Sequence, residues 1–296
     1  PIYFWDIAAQ QEQEEAADWV KDKFTGSAPA VPFSFVYDGV SSDDFLSSWP
    51  LSQSQVSLDA NRTQYTLTYT DPATGLEVKC VAVAYHDFPT AEWTVYFKNT
   101  SGTNTPILAD ILALDDTFTK LNGQDFRLHH FKGAPTTQND YQPYETVLTP
   151  QAGKTLSAAG GRSTNKDMSY FNLERGDQGV IVVVGWPGQW SATFTHSAAN
   201  TMTIAAGQEL THLRLYPGEE IRSPLMVVQF WEKDWLRSQN IWRRWMLAHN
   251  LPRPGGSLPE PMMSACSSHQ YNEMCNANED NQKMFIDRYL EEGIRL

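Results

Sequence analysis

The chain has 296 residues, of which 41% are hydrophobic, 12% aromatic and 19% charged, a composition with material for a buried core that excludes a disordered tail or a coiled coil. A formal net charge of −13 argues against unaided binding to nucleic acid or to anionic membrane surfaces, because both need cationic patches and no basic run exceeds Arg243-Arg244. No apolar run approaches the length needed to span a bilayer, and a neutral partner suits this surface better.

The first ten residues, "PIYFWDIAAQ", have neither the basic start nor the apolar core of a signal peptide, which leaves the compartment open. The segment Gln10 to Lys23 is expected to be a short surface helix. From about Pro32 to Phe230 the chain is a succession of β-prone runs rich in Val, Thr, Tyr and Phe, cut by turn residues, with roughly twelve or more strands and no helix of convincing length. Gln64 to Thr70 and Leu76 to Tyr85 read as a hairpin around the Asp71-Pro72-Ala73-Thr74-Gly75 turn. The same reversal is expected around Ser101-Gly102-Thr103-Asn104, around Pro187-Gly188 and around Pro217-Gly218. Many evenly spaced strands without intervening helices predict two large antiparallel sheets packed face to face.

At Trp231 the period changes. Trp231, Trp235, Trp242, Trp245, Met246 and His249 fall at helical spacings, and Pro252 and Pro254-Gly255-Gly256 end the run. Such a tryptophan stripe invites a sugar-stacking reading, but a helix joining two domains must bury one face, so the packing reading is preferred. After the stop, Met262 to Ser268 reads as a strand and Asn278-Glu279-Asp280 as a helix start with acidic residues in its first turn. That helix ends at Gly293. A lone β-α unit cannot cover its own apolar faces, so the expectation is the opening of a parallel α/β domain. The predicted organisation is a β-supersandwich over 1–230, a linker over 231–258, and the start of a further domain over 259–296.

The run His130-Phe131-Lys132-Gly133, the run Gly160-Gly161-Arg162-Ser163-Thr164, the Gly185-Trp186 to Trp190 turn, and Tyr216-Pro217-Gly218-Glu219 with Ser223-Pro224 occur in this order. Over about residues 30 to 296 the chain resembles the N-terminal half of glycoside hydrolase family 36, the family of α-galactosidases and their clan relatives. The resemblance implies a mainly β fold, with a supersandwich, a linking helix and a truncated (β/α)8 barrel whose first strand is Met262 to Ser268. It implies a retaining glycosidase that uses two carboxylates on later barrel strands, the nucleophile in a Lys-x-Asp motif. Lys21-Asp22, Lys166-Asp167 and Lys233-Asp234 lack that spacing, so no catalytic residue is assigned in this chain and it is expected to be inactive alone.

Barrel active sites are built from the loops after the strands, so His269, Tyr271, Asn272 and Glu273 are the candidates to hydrogen-bond a sugar hydroxyl. The expected partner is a galactose-containing carbohydrate, with no nucleic acid or membrane partner, and the parent enzyme could be a homo-oligomer. Cys80, Cys266 and Cys275 form no CxxC, and no His pair stands at ligand spacing, so neither a disulfide framework nor a metal or cofactor is expected. Asp43-Asp44 and Asp115-Asp116 read as solvated turns or edges, His86-Asp87 and His129-His130 lack a third partner, and Trp49, Trp186 and Trp190 read as packing residues. The competing readings are a non-catalytic carbohydrate-binding or scaffold sandwich, or a clan relative acting on α-N-acetylgalactosaminides.

Overall fold

Alternation of buried and outward side chains builds seventeen strands among the described residues. They are β1 (Ser34–Tyr37), β2 (Val40–Ser41), β3 (Leu51–Ser57), β4 (Arg62–Thr70), β5 (Leu76–Tyr85), β6 (Thr90–Asn99), β7 (Leu108–Thr119), β8 (Phe126–Lys132) and β9 (Pro143–Leu148). There follow β10 (Gly153–Ser157), β11 (Asp167–Glu174), β12 (Gln178–Gly185), β13 (Trp190–His196), β14 (Thr201–Gln208), β15 (His212–Leu213), β16 (Glu220–Arg222) and β17 (Leu225–Glu232). The computed structural model describes residues 10–120, 125–197, 200–260 and 276–294. The chain divides into two compact units, Pro1–Trp245 and Met246–Leu296.

The first unit is a mainly β structure of two antiparallel sheets. A 7-stranded sheet runs β10-β13-β14-β7-β1-β2, with β15 also on β7. A 10-stranded sheet runs β3-β4-β5-β6-β17-β12-β11-β8-β9, with β16 on β6. Their inner faces form one apolar core that joins Phe35, Leu114, Phe194 and Ile204 to Val78, Trp93, Phe97, Phe171 and Val228. Full burial of one such side chain stabilises by about 1.5–3 kcal/mol, which makes this layer the main source of stability.

Of the four expected reversals, only the first is a hairpin, with β4 and β5 in register from Arg62↔Tyr85 to Thr70↔Glu77. The chain leaves the larger sheet at β6 and enters the smaller at β7, leaves again between β12 and β13, and returns between β15 and β16. Turn residues dictate that the chain reverses, whereas the sheet it joins is decided by burial on distant neighbours.

Helix α1 (Gln10–Phe24) is more than a surface helix. Ala16, Val20 and Phe24 enter the main core, and Trp19 lies 5.4 Å from Trp93 and 6.0 Å from Phe230 between ring centroids. Its polar contacts reach both sheets. Lys23 Nζ and Trp19 Nε1 donate to Asp116 on β7 at 2.8 and 2.9 Å, and Arg175, just after β11, donates to Glu15 at 2.6 Å. Glu12, fully buried, accepts two bonds of 2.9 Å from Arg237 and one from the Glu232 amide. Asp115 accepts from Ser34 Oγ at 2.6 Å, so Asp115-Asp116 is a brace in the fold and not a solvated edge.

Trp231 belongs to β17, so the tryptophan stripe begins one turn later, on α3 (Trp235–Trp245). The expected packing role holds there: Trp245 is buried against Tyr85 and Val227, with Trp242 alongside. In the second unit, Met246–Asn250 forms a π turn, and Gly255 and Gly256 take positive φ in the Pro254–Gly256 turn. Helix α4 (Glu279–Glu291) starts where the sequence indicates: Asn278 and Asn281 exchange side-chain-to-backbone bonds of 3.0 Å in a capping box. The expected strand Met262 to Ser268 lies outside the described residues.

The substitution Glu12→Ala leaves the Arg237 guanidinium buried without its bidentate partner, and is expected to lower stability by about 3–5 kcal/mol in urea unfolding. Glu12→Ala combined with Arg237→Ala should be less destabilising than the two single losses summed.

Candidate functional site

The sequence-predicted site residues His269, Tyr271, Asn272 and Glu273 lie outside the described residues, as do Cys266 and Cys275. Within the sandwich unit, chemistry-bearing side chains gather in two kinds of place, a polar ledge beneath α3 and three cavities.

The ledge is set by register. His129 on β8 stands opposite Asn172 on β11 and Glu145 on β9, so one face of three adjacent strands carries a polar row. His129 Nε2 bonds Glu174 Oε2 at 2.7 Å, its Nδ1 lies 3.9 Å from Glu145 Oε2, and its ring stacks on Trp235 at 4.3 Å with 10° between planes. Asn172, fully buried, accepts from Trp231 Nε1 and donates to Ser238 Oγ, both at 2.8 Å, while Tyr170 donates to Gln239 at 2.7 Å. These bonds anchor α3 on the sheet. His129 and His130 point to different surroundings, as strand neighbours must. His130 bonds Thr146 Oγ1 at 3.0 Å, stacks on Tyr144, and has no partner for Nδ1 among the described residues.

Three of the four motifs that carry the family resemblance meet where β8 ends and β13 begins, while the Tyr216 to Pro224 motif lies apart, against β6. Gly133 follows β8 so closely that a Cβ there would lie 1.9 Å from the Thr164 carbonyl, and the Ala134 amide donates to that same carbonyl at 2.7 Å. One residue earlier, the Ser163 carbonyl accepts from buried Trp190 Nε1 at 2.7 Å. Gly161 N in turn donates to Gln189, within the Trp186 to Trp190 turn. The runs at 130–133, 160–164 and 186–190 are thus neighbours in space, joined by the close approach of Gly133 to Thr164 and by the side chains of Trp190 and Gln189.

The remaining sequence candidates are structural. His86 bonds Thr63 at 2.8 Å, Asp43 and Asp44 occupy the first turn of the short helix α2 (Ser42–Phe45), and Trp49 packs on Phe45 at 4.9 Å. Trp186 is half-buried with the Arg222 guanidinium 5.3 Å from its ring centroid. Asn99, of one N-x-[ST] sequon, is fully buried and donates to two carbonyls, so it cannot accept a glycan. Burial pushes the Cys80 thiol up, which leaves it inert. Among the described residues no group of three His, Cys, Asp or Glu is arranged to hold a metal ion, and no helix is long and apolar enough to cross a membrane.

Sequence reasoning missed the cavities. One of about 500 Å³ separates α1 from β4 and β5, bordered by Gln13, Ala17, Val20, Tyr65, Tyr85 and His86. A second, of about 320 Å³, is bordered by Lys23, Phe33, Ser42, Asp43, Leu46 and Tyr69. A third, also about 320 Å³, lies beside Trp186, Thr211, Leu213 and Arg222. Burial, with the nearby Cys80, pushes the Tyr69 phenol up to about 12, so it is a neutral donor throughout the physiological range.

No protein-family model and no curated protein matches the sequence. Solved structures do match in fold. An α-galactosidase from Lactobacillus brevis has a TM-score of 0.63 at 14% identity, covering 89% of this chain and 37% of that one. A substituted family 36 α-galactosidase from Geobacillus stearothermophilus, in complex with raffinose, has a TM-score of 0.55 at 16% identity, covering 72% and 31%. The galactosidase domain of an α-galactosidase-sucrose kinase has a TM-score of 0.54 at 16% identity, covering 71% and 31%. The chain therefore spans between 31% and 37% of the length of these structures. At such identities the likeness is one of fold.

Two outcomes are expected from this geometry. Gly133→Ala forces a methyl into the Thr164 backbone and should cost about 1–3 kcal/mol or more, read as a lowered urea midpoint. Burial is the main force holding the His130 imidazole down at about 4, with Lys154 and His129 opposing its charge and Asp167 favouring it. Because the unfolded chain takes up this proton near 6.5 and the folded chain only near 4, the stability held by neutral His130 is complete above pH 6.5 and is lost as pH falls towards 4. His130→Gln should flatten the pH dependence of the urea midpoint across that window.

Proposed function

We propose that this chain is the N-terminal portion of a retaining glycoside hydrolase of family 36 that acts on α-galactosides. The observation that carries the reading is the likeness in fold to the Lactobacillus brevis α-galactosidase over 89% of this chain. The ordered motifs at 130–133, 160–164 and 186–190 support it, because they meet in space. In this reading residues 1–230 form the supersandwich, 231–258 the linker, and 259–296 the entrance of the catalytic (β/α)8 barrel.

The assignment divides the labour between chain segments. Four carboxylates of the sandwich are committed to holding the fold: Glu12 to Arg237, Glu15 to Arg175, Asp116 to Lys23 and Glu174 to His129. A carboxylate so paired is a poor nucleophile or proton donor, since both roles need a group free to approach the glycosidic bond. In this reading the nucleophile and the acid/base belong to later strands of the catalytic barrel, as the family resemblance implies. His269, Tyr271, Asn272 and Glu273 take the place of the first barrel-mouth loop, where a hydroxyl of the bound galactoside would find donors and acceptors.

The 296-residue chain, assayed on a chromogenic α-galactoside, is expected to give no turnover, while a chain extended through the following coding sequence hydrolyses it with retention of configuration. Robust hydrolysis by the 296-residue chain would show that the catalytic carboxylates lie within it and would overturn this assignment.

A further inference from the structure

The cavity beside Tyr69 has the chemistry of a small-ligand site. Tyr69 is 3% exposed as a residue, its hydroxyl oxygen is not among the fully enclosed unpaired atoms and so opens on the cavity, and no described residue bonds it there. Asp43 and Ser47, exposed at the rim of the same cavity, offer side-chain oxygens to a ligand there. Ser42 accepts the Phe35 amide at 3.1 Å, which leaves its hydroxyl proton to donate. The opposite wall is apolar, made by Pro29, Val31, Phe33 and Leu46.

Charge narrows the class of occupant. Lys23 is the cation of the cavity, and Asp116 at 2.8 Å and Asp22 at 3.3 Å already neutralise it. Asp43 adds an acceptor of negative charge at the rim, so an anion is disfavoured. A ligand that presents hydroxyls to Tyr69, Ser42 and Asp43, and an uncharged C–H face to Phe33 and Leu46, satisfies every wall. About 320 Å³ lies at the small end of ligand cavities, which suits one sugar ring and not an oligosaccharide.

We propose that the cavity bordered by Tyr69, Ser42, Asp43, Phe33 and Leu46 is a binding site for a single neutral hexose unit. It is an accessory site on the sandwich, and it does not rest on the glycosidase assignment: occupancy is read by binding to this chain and the assignment by turnover. Tyr69 donates to a ring hydroxyl, and Asp43 accepts from one or two.

Isothermal titration of the 296-residue chain with D-galactose and with D-glucose is the test. One weak site is expected, with a dissociation constant on the order of millimolar for at least one of the two hexoses. Tyr69→Phe and Asp43→Asn should each weaken it about fivefold or more, whereas Tyr65→Phe, in the neighbouring cavity, should leave it unchanged. Tyr69→Phe removes an oxygen that bonds no described residue, so its melting temperature should match the parent and separate lost binding from lost folding. Binding that survives both Tyr69→Phe and Asp43→Asn, glycerol binding as tightly as the hexoses, or no saturable heat from either hexose up to about 50 mM would each overturn the proposal.

Discussion

Each polar group that two wide sheets bury between them costs free energy unless it is paired, and the bond from Trp93 Nε1 to the Ala113 carbonyl, 2.8 Å across the core, is where the two layers meet this constraint. Trp93 is fully buried on the larger sheet, and its indole proton needs an acceptor from the smaller one. The acceptor exists because β7 is irregular there. Its register with β14 slips between Leu114 and Leu112, so Ala113 is passed over by the ladder and its carbonyl is released to face the other sheet. Gly207 lies opposite this bulge, and a Cβ at that position would come within 2.5 Å of the Ile111 carbonyl. A glycine, a bulge and a tryptophan are therefore one device for joining the layers.

The same need shapes the helix that lies against both sheets. Helix α1 puts Trp19 and Phe24 against Trp93, completing the aromatic cluster around the inter-sheet bond. Its charged side chains then bind Asp116 on one sheet, and Arg175 and Arg237 at the other. Ion pairs of this burial are weak sources of net stability, because desolvation consumes most of the Coulombic gain, but they penalise any other placement of the helix. Apolar packing holds α1 in, and the ion pairs fix its register.

Much of this was legible in the sequence. Alternation and turn residues gave the strand positions, and the Asn278 start of α4 followed from a capping preference that acts over a few residues. What stayed hidden depends on non-local partners. Three of four expected hairpins cross between sheets, Trp231 belongs to a strand and not to the helix that follows, and Asp115-Asp116 became buried braces only because Ser34, Trp19 and Lys23 converge on them. The Tyr69 cavity left no trace in the sequence, since Tyr69 alternates in β4 like any core residue and its neighbours come from Lys23 and Ser42 across long loops.

A motif need not mark chemistry in order to mark a family. Three of the four runs that carried the resemblance meet around the Ser163 and Thr164 carbonyls, which are spent on Trp190 Nε1 and on the Ala134 amide. Gly133 is there because no side chain fits against Thr164. Such positions tolerate little change, because each is set by backbone contact and not by side-chain volume alone. Signature and ligand contact then separate within one domain: the three runs tie the end of β8 to the start of β13, and the hydroxyls of Tyr69 and Ser47 line a cavity that no motif announces.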